Sequence, residues 1–496
     1  MMFAELQTIP SPEVLWWALV PLLLTGGGAV VLLTFASIKS NLPSWFSALW
    51  VAGISTAGFI SLFPIWNHIA EEGPKTFLAG SVGVDHSSVF TTGILILVVI
   101  ATIALAHPYL KREDLPEVEF YVLLLLAAAG GIVMASANGL IVMFLGIEIL
   151  SLATYVLAAY HLRKIQSQEA ALKYFILGAF ASAFLLYGIA LIYGATGSTN
   201  LIEIKEWLSA NILFDDGLLL AGFAMLLAGL GFKVAAVPFH AWTPDVYQGA
   251  PSPVVGWMAA GVKAAGFAAL LRVFVATFGS YVSDWSPAIA ALAIASVLVG
   301  SIGAVVQTDV KRMLAYSSIT HAGFLLIGVE AATERGTAAT FTYLAIYAFL
   351  ATGSFAVISL VGDQGDNQHD LEAYKGLGIR KPVLAGAFTI LLLAQAGVPF
   401  TAGFIAKFGV IAAAVEARSW TPAIVAMLAT AIAAFVYLRI IVSMYLSEPS
   451  EEKELFIDNG GRVVIAVSVA LTIVVGIFPS LLVDLAKDAI PILVGG

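Results

Sequence analysis

From residue 13 onward the chain is a succession of apolar runs of about 20 residues or more, the length an α-helix needs to cross the hydrocarbon core of a bilayer. Backbone amides in hydrocarbon find partners only within helices or closed barrels, so the runs predict an all-α polytopic membrane protein. Fourteen spans are expected, at approximately 13–36, 44–66, 87–107, 118–136, 138–160, 167–194, 216–241, 254–278, 286–307, 313–331, 337–361, 383–416, 420–446 and 463–485. The twelfth exceeds one crossing, which predicts tilt or a break. Polar connections no longer than roughly 20 residues leave no room for a soluble domain. The chain is 60 % hydrophobic and 11 % charged, against about 25 % charged in soluble domains. Its start, "MMFAELQTIPSPEVL", carries acids where a signal peptide needs bases, so the first span is expected to be retained. The chain has no cysteine, which excludes thiolate-held iron–sulfur clusters and disulfides. A net charge of −9 is spread over short loops, and nothing points to nucleic acid.

Basic residues set the expected orientation. The loops after odd-numbered spans hold Lys39, Lys111, Arg112, Arg163, Lys164, Lys311 and Arg312, then Lys375, Arg380, Lys381, Lys453 and Arg462. The other side holds Lys75, Lys205, Arg335, Arg418 and Lys487. The first group belongs in the cytoplasm, which puts both termini outside. Arg272 and Arg439 lie nearer helix ends, where long side chains snorkel outward. Lys173, Lys233, Lys263 and Lys407 remain as candidates for the interior.

Two of those lysines accompany the same tripeptide. "AAVPFHAW" (235–242) follows Lys233, and "AQAGVPFTAGFIAKF" (394–408) carries Lys407 near its end. A proline inside a span removes a backbone hydrogen bond that lipid cannot replace, so Pro238 and Pro399 mark simple kinks or hydrated breaks. They fall in spans seven and twelve, which run in opposite directions. That is the pattern of two inverted five-helix repeats, each with one interrupted helix. A single membrane domain is therefore expected, with three N-terminal helices (13–107), a first repeat (118–278, spans 4–8), a second (286–446, spans 9–13) and a C-terminal helix (463–485).

A charge at the bilayer centre costs at least about 2.5–3.5 kcal/mol, and a lysine deprived of water holds its proton less tightly. Buried lysines are thus proton-exchange sites or members of fixed ion pairs. Glu148, in "FLGIEILSLATY", is the one carboxylate expected near the middle of a span, so the interior lysines cannot all be paired. Lys173, in "EAALKYF", either pairs with Glu148 across the neighbouring helix or snorkels. His240 follows the first break, and His321 lies in the polar stripe "AYSSITHAGF"; each is a proton relay or a satisfied helix–helix contact. "STNLIEIKEWLSAN" (198–211) predicts a short amphipathic helix on the outer surface. There is no nucleotide-binding loop and no metal-ligand cluster in the sequence.

"GLGFKVAAVPFHAWTPDVYQGAPSPVVGWMAAGVKAAGFAALLRV" (229–273) closely resembles the antiporter-like membrane subunits of bacterial respiratory complex I, NADH:quinone oxidoreductase. "DVKRMLAYSSITHAGF", "GIEILSLATYVLAAY" and "VPFTAGFIAKF" fit the same family, and "TPDVYQGAPSP" resembles its N-chain branch. The likeness extends across nearly all fourteen spans. It implies a fold with broken helices seven and twelve, and a non-redox subunit of the proton-translocating enzyme in the bacterial inner membrane. It implies roles in proton transfer for Glu148 (helix five), Lys173 (helix six), Lys233 (helix seven), Lys263 (helix eight) and Lys407 (helix twelve). Cofactors are expected in partner subunits only: NADH, FMN, iron–sulfur clusters and quinone. The expected partners are other membrane subunits, sister antiporter-like chains among them, and the lipid bilayer. The alternative is a subunit of a cation/proton antiporter, although a sodium site needs clustered carboxylates or carbonyl oxygens. A solute transporter leaves four interior lysines unexplained.

Overall fold

The computed structural model describes residues 12–39, 42–211, 216–362, 365–367, 369–448 and 457–493. Lys453 and most of the acidic N-terminal stretch lie outside the described residues. Among the described residues thirteen helices are long and apolar enough to cross a membrane. The remaining crossing is the interrupted pair Pro382–Ala396 and Ala402–Glu416. The chain is an all-α polytopic membrane protein, and each expected span overlaps an observed helix, most bounds agreeing to within a few residues and some missing by six to eight. The first is Trp16–Ile38, the fifth Leu140–Ala158 and the sixth Ile165–Thr196. The eighth is Ser252–Thr277, the tenth Val310–Glu330 and the eleventh Glu334–Val361.

Several helices begin where a short polar side chain closes the first turn. Asp85 accepts from Ser88 N at 2.9 Å, Asp309 from Arg312 N at 2.8 Å and Thr333 from Gly336 N at 3.0 Å. Such caps satisfy amides that have no partner inside the helix. The loops also tie to one another. Ala137 bridges to Val82 and Gly139 to Asn200 at one end of the bundle, while Asp309 bridges to Asp370 at the other. The second end carries Arg163 and Arg312 and is called the basic face below.

Burial is uneven among the spans. The eighth is enclosed along its whole apolar stretch, and the tenth and eleventh nearly so. The sixth, thirteenth (Trp420–Leu446) and fourteenth (Asn459–Ile477) turn most of their surface outward. The eighth, tenth and eleventh spans therefore form the hub. The eighth departs twice from α-helical geometry, in π-helical turns at Met258–Val262 and Leu271–Thr277.

Four features differ from expectation. The seventh span stops at Val234, and a separate short helix, Trp242–Gly249, follows the break. The last span divides at Pro479 into Asn459–Ile477 and an amphipathic helix, Ser480–Asp488. A small hairpin pairs Lys75–Phe77 with Val82–Val84. Arg272 does not snorkel: it is 2 % exposed, and its Nη2 donates to both Asp85 oxygens at 2.7 and 2.8 Å. A carboxylate fixed at a helix start gives the guanidinium a partner that lipid or distant water would not. The short amphipathic helix is present as Leu201–Ala210, with Leu201, Ile204 and Leu208 buried.

Candidate proton-transfer row

Both interruptions are re-satisfied locally. After Val234 the backbone turns left-handed at Ala235 (φ +62°), and the Val237–Pro238 bond is cis. The freed Val237 N–H donates to Ser296 Oγ at 2.9 Å, and Trp242 Nε1 donates to Phe232 O at 3.2 Å. In span twelve the chain turns at Gly397 (φ +89°), a conformation that favours glycine. There the missing donor is a lysine: Lys407 Nζ donates to Ala396 O at 3.1 Å. It closes the C-terminal end of the first half-helix, where a cation is favoured by the helix dipole.

Lys233, Lys263 and Lys407 are 4 %, 2 % and 5 % exposed. Among the described residues none of them lies within 4.0 Å of a carboxylate. Their partners are hydroxyls, carbonyls and rings. Lys233 Nζ donates to Ser151 Oγ at 2.7 Å. Ser151 is one helical turn beyond Glu148, so lysine and glutamate flank one face of the fifth span. Glu148 is half-buried and accepts from Ser182 Oγ at 2.5 Å. The stem of Lys233 packs on Gly266, where a Cβ would stand 2.7 Å from Val234 Cγ1 and 3.7 Å from Lys233 Cγ. That close approach sets Lys233 beside the turn that follows Lys263.

Lys263 Nζ donates to Ser318 O at 2.5 Å and Ser318 Oγ at 2.7 Å. It also lies 5.3 Å from the centroid of the Tyr347 ring, a favourable cation–π placement. The same ring lies 4.6 Å from that of His321. His321 Nδ1 is 2.7 Å from Tyr343 OH and its Nε2 is 3.3 Å from Tyr437 OH. One hydroxyl donates to the ring and the other accepts, whichever tautomer is present. Phe324, one turn further along the tenth span, stacks on Tyr343 with centroids 6.2 Å apart. Lys407 Nζ is 4.9 Å from the Phe324 ring centroid. Ser318, His321 and Phe324 thus line one stripe of the tenth span and join the eighth span to the twelfth. The row runs Lys233, Lys263, His321, Lys407.

Two expected members stand elsewhere. Lys173 is not an interior lysine. Its side chain is 44 % exposed and pairs with Asp245 Oδ2 and Glu169 Oε1, each at 2.8 Å. It sits a little over two turns into its helix, near the basic face, where carboxylates on Trp242–Gly249 and on its own helix are closer than Glu148. His240 is half-buried beside exposed Pro238, and its Nδ1 is buried without a partner among the described residues. It does not touch the row.

A polar cavity of about 270 Å³ opens on the basic face, lined by Lys164, Glu169, Lys173, Asp245, Asp309 and His369 among others. The helix Trp242–Gly249 walls it off from the row. Asp245 faces the cavity and also accepts from Arg312 Nη1 at 2.7 Å, while Tyr247 points inward with its OH 3.4 Å from Ser318 Oγ. Beside the cavity, Asp366 is buried and surrounded by donors. Its Oδ2 is 3.1 Å from Lys311 Nζ, and its Oδ1 is 2.9 Å from His369 Nε2 and accepts from Ser252 Oγ at 2.8 Å. Burial alone would raise that carboxyl, but the Lys311, His369 and Lys164 charges hold it well below the usual carboxylate range. Lys311, counted above among loop charges, is fully buried.

The sequence did not single out Ser151, Ser182, Ser318, Tyr343, Tyr347 or Tyr437. The two serines at 317 and 318 lay in the polar stripe around His321. Tyr343 and Tyr347, four residues apart on one helix, gave a faint signal among 15 tyrosines.

Residues 137–433 match the family model described as NADH:quinone oxidoreductase/Mrp antiporter, TM. NADH-quinone oxidoreductase subunit N of Chloroflexus aggregans is 39 % identical over 98 % of this chain and 99 % of its own. That of Mycobacterium tuberculosis is 38 % identical with the same coverage. A chain of respiratory complex I from Thermus thermophilus superposes with a TM-score of 0.80 at 35 % identity, covering 94 % of this chain and 99 % of that one. A chain of the Mrp complex of Dietzia shares the fold (TM-score 0.83) at 20 % identity over 96 % and 97 %. Matched along nearly its whole length by relatives of this kind, the chain belongs to the NADH-quinone oxidoreductase subunit N family.

Proposed function

We propose that this chain carries protons outward across a bacterial inner membrane as a non-redox subunit of an NADH:quinone oxidoreductase. The observation that carries the reading is the row itself. Three buried lysines have hydroxyl, carbonyl and aromatic neighbours but no carboxylate within ion-pair distance among the described residues. A static network would pair them, because an unpaired buried charge is costly. Sites that take and release protons need no permanent counter-ion. NADH, FMN, iron–sulfur clusters and quinone belong to partner subunits in this reading, and sister antiporter-like chains are the neighbours within the bilayer. The excess of basic residues supports a cytoplasmic position for the basic face, with both termini outside. Residues 118–278 and 286–446 are the two inverted repeats, each supplying one broken helix.

A proton enters from the cytoplasm past the first break, with His240 at its edge, to reach Lys233, and the polar cavity lined by Lys173 and Asp245 gathers protons on the cytoplasmic side of the helix Trp242–Gly249. It moves laterally to Lys263, through His321 with its tyrosines, and on to Lys407 and the outside. Glu148 is the switchable anion. While its charge stays near Lys233 the ammonium is favoured, and when that influence weakens the proton is released onward. Each proton moved outward opposes about 2.3 kcal/mol per 100 mV, which quinone reduction in the partners must supply.

The second reading, a cation/proton antiporter subunit, is favoured by the shared family model and by the likeness of fold. Inverted membrane vesicles separate the two. NADH-driven acidification is expected to continue undiminished when choline replaces sodium and potassium, and the tagged chain to co-purify with its redox partners. Acidification that requires sodium or potassium would favour the antiporter.

A further inference from the structure

Glu330 closes the tenth span at the end opposite the basic face, and it is 8 % exposed. Its Oε1 accepts from Ser419 Oγ at 2.8 Å and from Ser286 Oγ at 3.3 Å. Its Oε2 is buried without a hydrogen-bond partner among the described residues. Among the described residues no cation lies within 4.0 Å of it: Arg335, five residues on, pairs with Glu416 instead, Arg418 makes no ion pair with it, and Asp284 and Glu334 are themselves anions. A buried carboxylate oxygen with no partner is costly, and two serines at the other oxygen do not remove that cost.

Its position gives it a use. The ring of Phe324 lies under the ammonium of Lys407, and Glu330 is six residues further along the same helix, about 9 Å by the rise of an α-helix. Between them the tenth span packs at Gly328 against Val410, where a Cβ would lie 3.1 Å from Val410 Cγ1. Val410 is one turn beyond Lys407, so the side of Ala402–Glu416 that bears the lysine faces the stretch of the tenth span that ends in Glu330. A larger cavity of about 570 Å³, lined by Arg335, Ile405, Phe408, Gly409 and Lys487 among others, opens at the same end. It touches the wrong side of that helix: residues 405, 408 and 409 are turned about 100–200° away from Lys407.

We infer that Glu330 is the proton-release group of this chain. It takes the proton from the ammonium of Lys407, becomes a neutral carboxyl, and gives the proton to water outside. Ser286 and Ser419 hold the carboxyl in place throughout. The inference rests on the proton-carrying reading of the lysine row.

The test compares wild type, Glu330→Gln, Glu330→Asp and Lys233→Ala in the whole complex, in inverted vesicles whose lumen corresponds to the outside. Glutamine keeps an oxygen for both serine hydroxyls but accepts no proton. Glu330→Gln is expected to assemble normally on native gels and to slow acidification on the order of tenfold or more, a modest loss for a positioned proton carrier. Glu330→Asp, which keeps a titratable carboxyl, should keep most of the wild-type rate. Wild-type pumping in Glu330→Gln, with Lys233→Ala impaired, overturns the release role alone. Wild-type pumping in both overturns the row and the release group together. A fall in assembly that tracks the fall in pumping through the Gln and Asp variants makes Glu330 structural and also overturns the proposal.

Discussion

Lys407 meets two needs with one side chain: its ammonium caps the carbonyl end of a half-helix and rests on an aromatic ring. Neither neighbour is an anion, so losing the proton leaves no charge stranded. Asp366 is the opposite case, a buried carboxylate met by Lys311, His369 and Ser252, with Lys164 donating to the backbone carbonyl of the same residue. Its folded pKa is depressed, so the stability it contributes is complete above the unfolded value near 3.9 and is lost as pH falls through the folded value, in strongly acidic solution. Asp366→Asn should therefore remove about 3–5 kcal/mol at neutral pH, because Lys311 is left buried without its anion. Thermal melting of the purified complex at pH 7 checks this; an unchanged Tm would contradict it. The interior lysines were legible as charges in apolar runs. Lys311 and Arg272 were not, since their burial depends on Asp366 and Asp85, which are remote in sequence. Nor were the tyrosines around His321, because tertiary packing alone decides which of many tyrosines meet a given histidine.

At the level of the elements, both "VPF" motifs mark true interruptions, but the two breaks divide their helices differently. The first leaves an 18-residue helix and an 8-residue one, the second two of 15. Trp242–Gly249 was missed because "WTPDVYQG" reads as a turn; its Pro244 falls in the first helical turn, where no intrahelical donor is lost. Elsewhere packing depends on small residues. The fourth span (Val118–Ser136) crosses the fifth at Gly130 and Gly146, where a Cβ would lie 2.4 Å from Leu150 N and 2.7 Å from Met134 N respectively. Gly146→Leu should push these helices apart and move Glu148, half a turn away. Assembly of the chain into the complex is expected to fall several-fold, a destabilisation of about 1–3 kcal/mol from overpacking. Normal assembly on native gels would show that the crossing can yield.

Across the whole molecule, the number of spans, their positions and the two breaks were legible because hydrocarbon imposes length and hydrogen-bond rules that composition reveals. The hub was less so. An apolar run reads the same whether lipid or protein surrounds it, and only the structure encloses the eighth, tenth and eleventh spans while exposing the sixth and thirteenth. The row from Lys233 to Lys407 crosses that hub, where no lipid reaches it and where a change in one site's charge is felt by the next through little dielectric screening. Its first lysine tests the account most directly. NADH-driven acidification of inverted vesicles should collapse in Lys233→Ala, together with coupled electron transfer, while the complex still assembles. Acidification and electron transfer at the wild-type rate in an assembled Lys233→Ala complex would contradict the account.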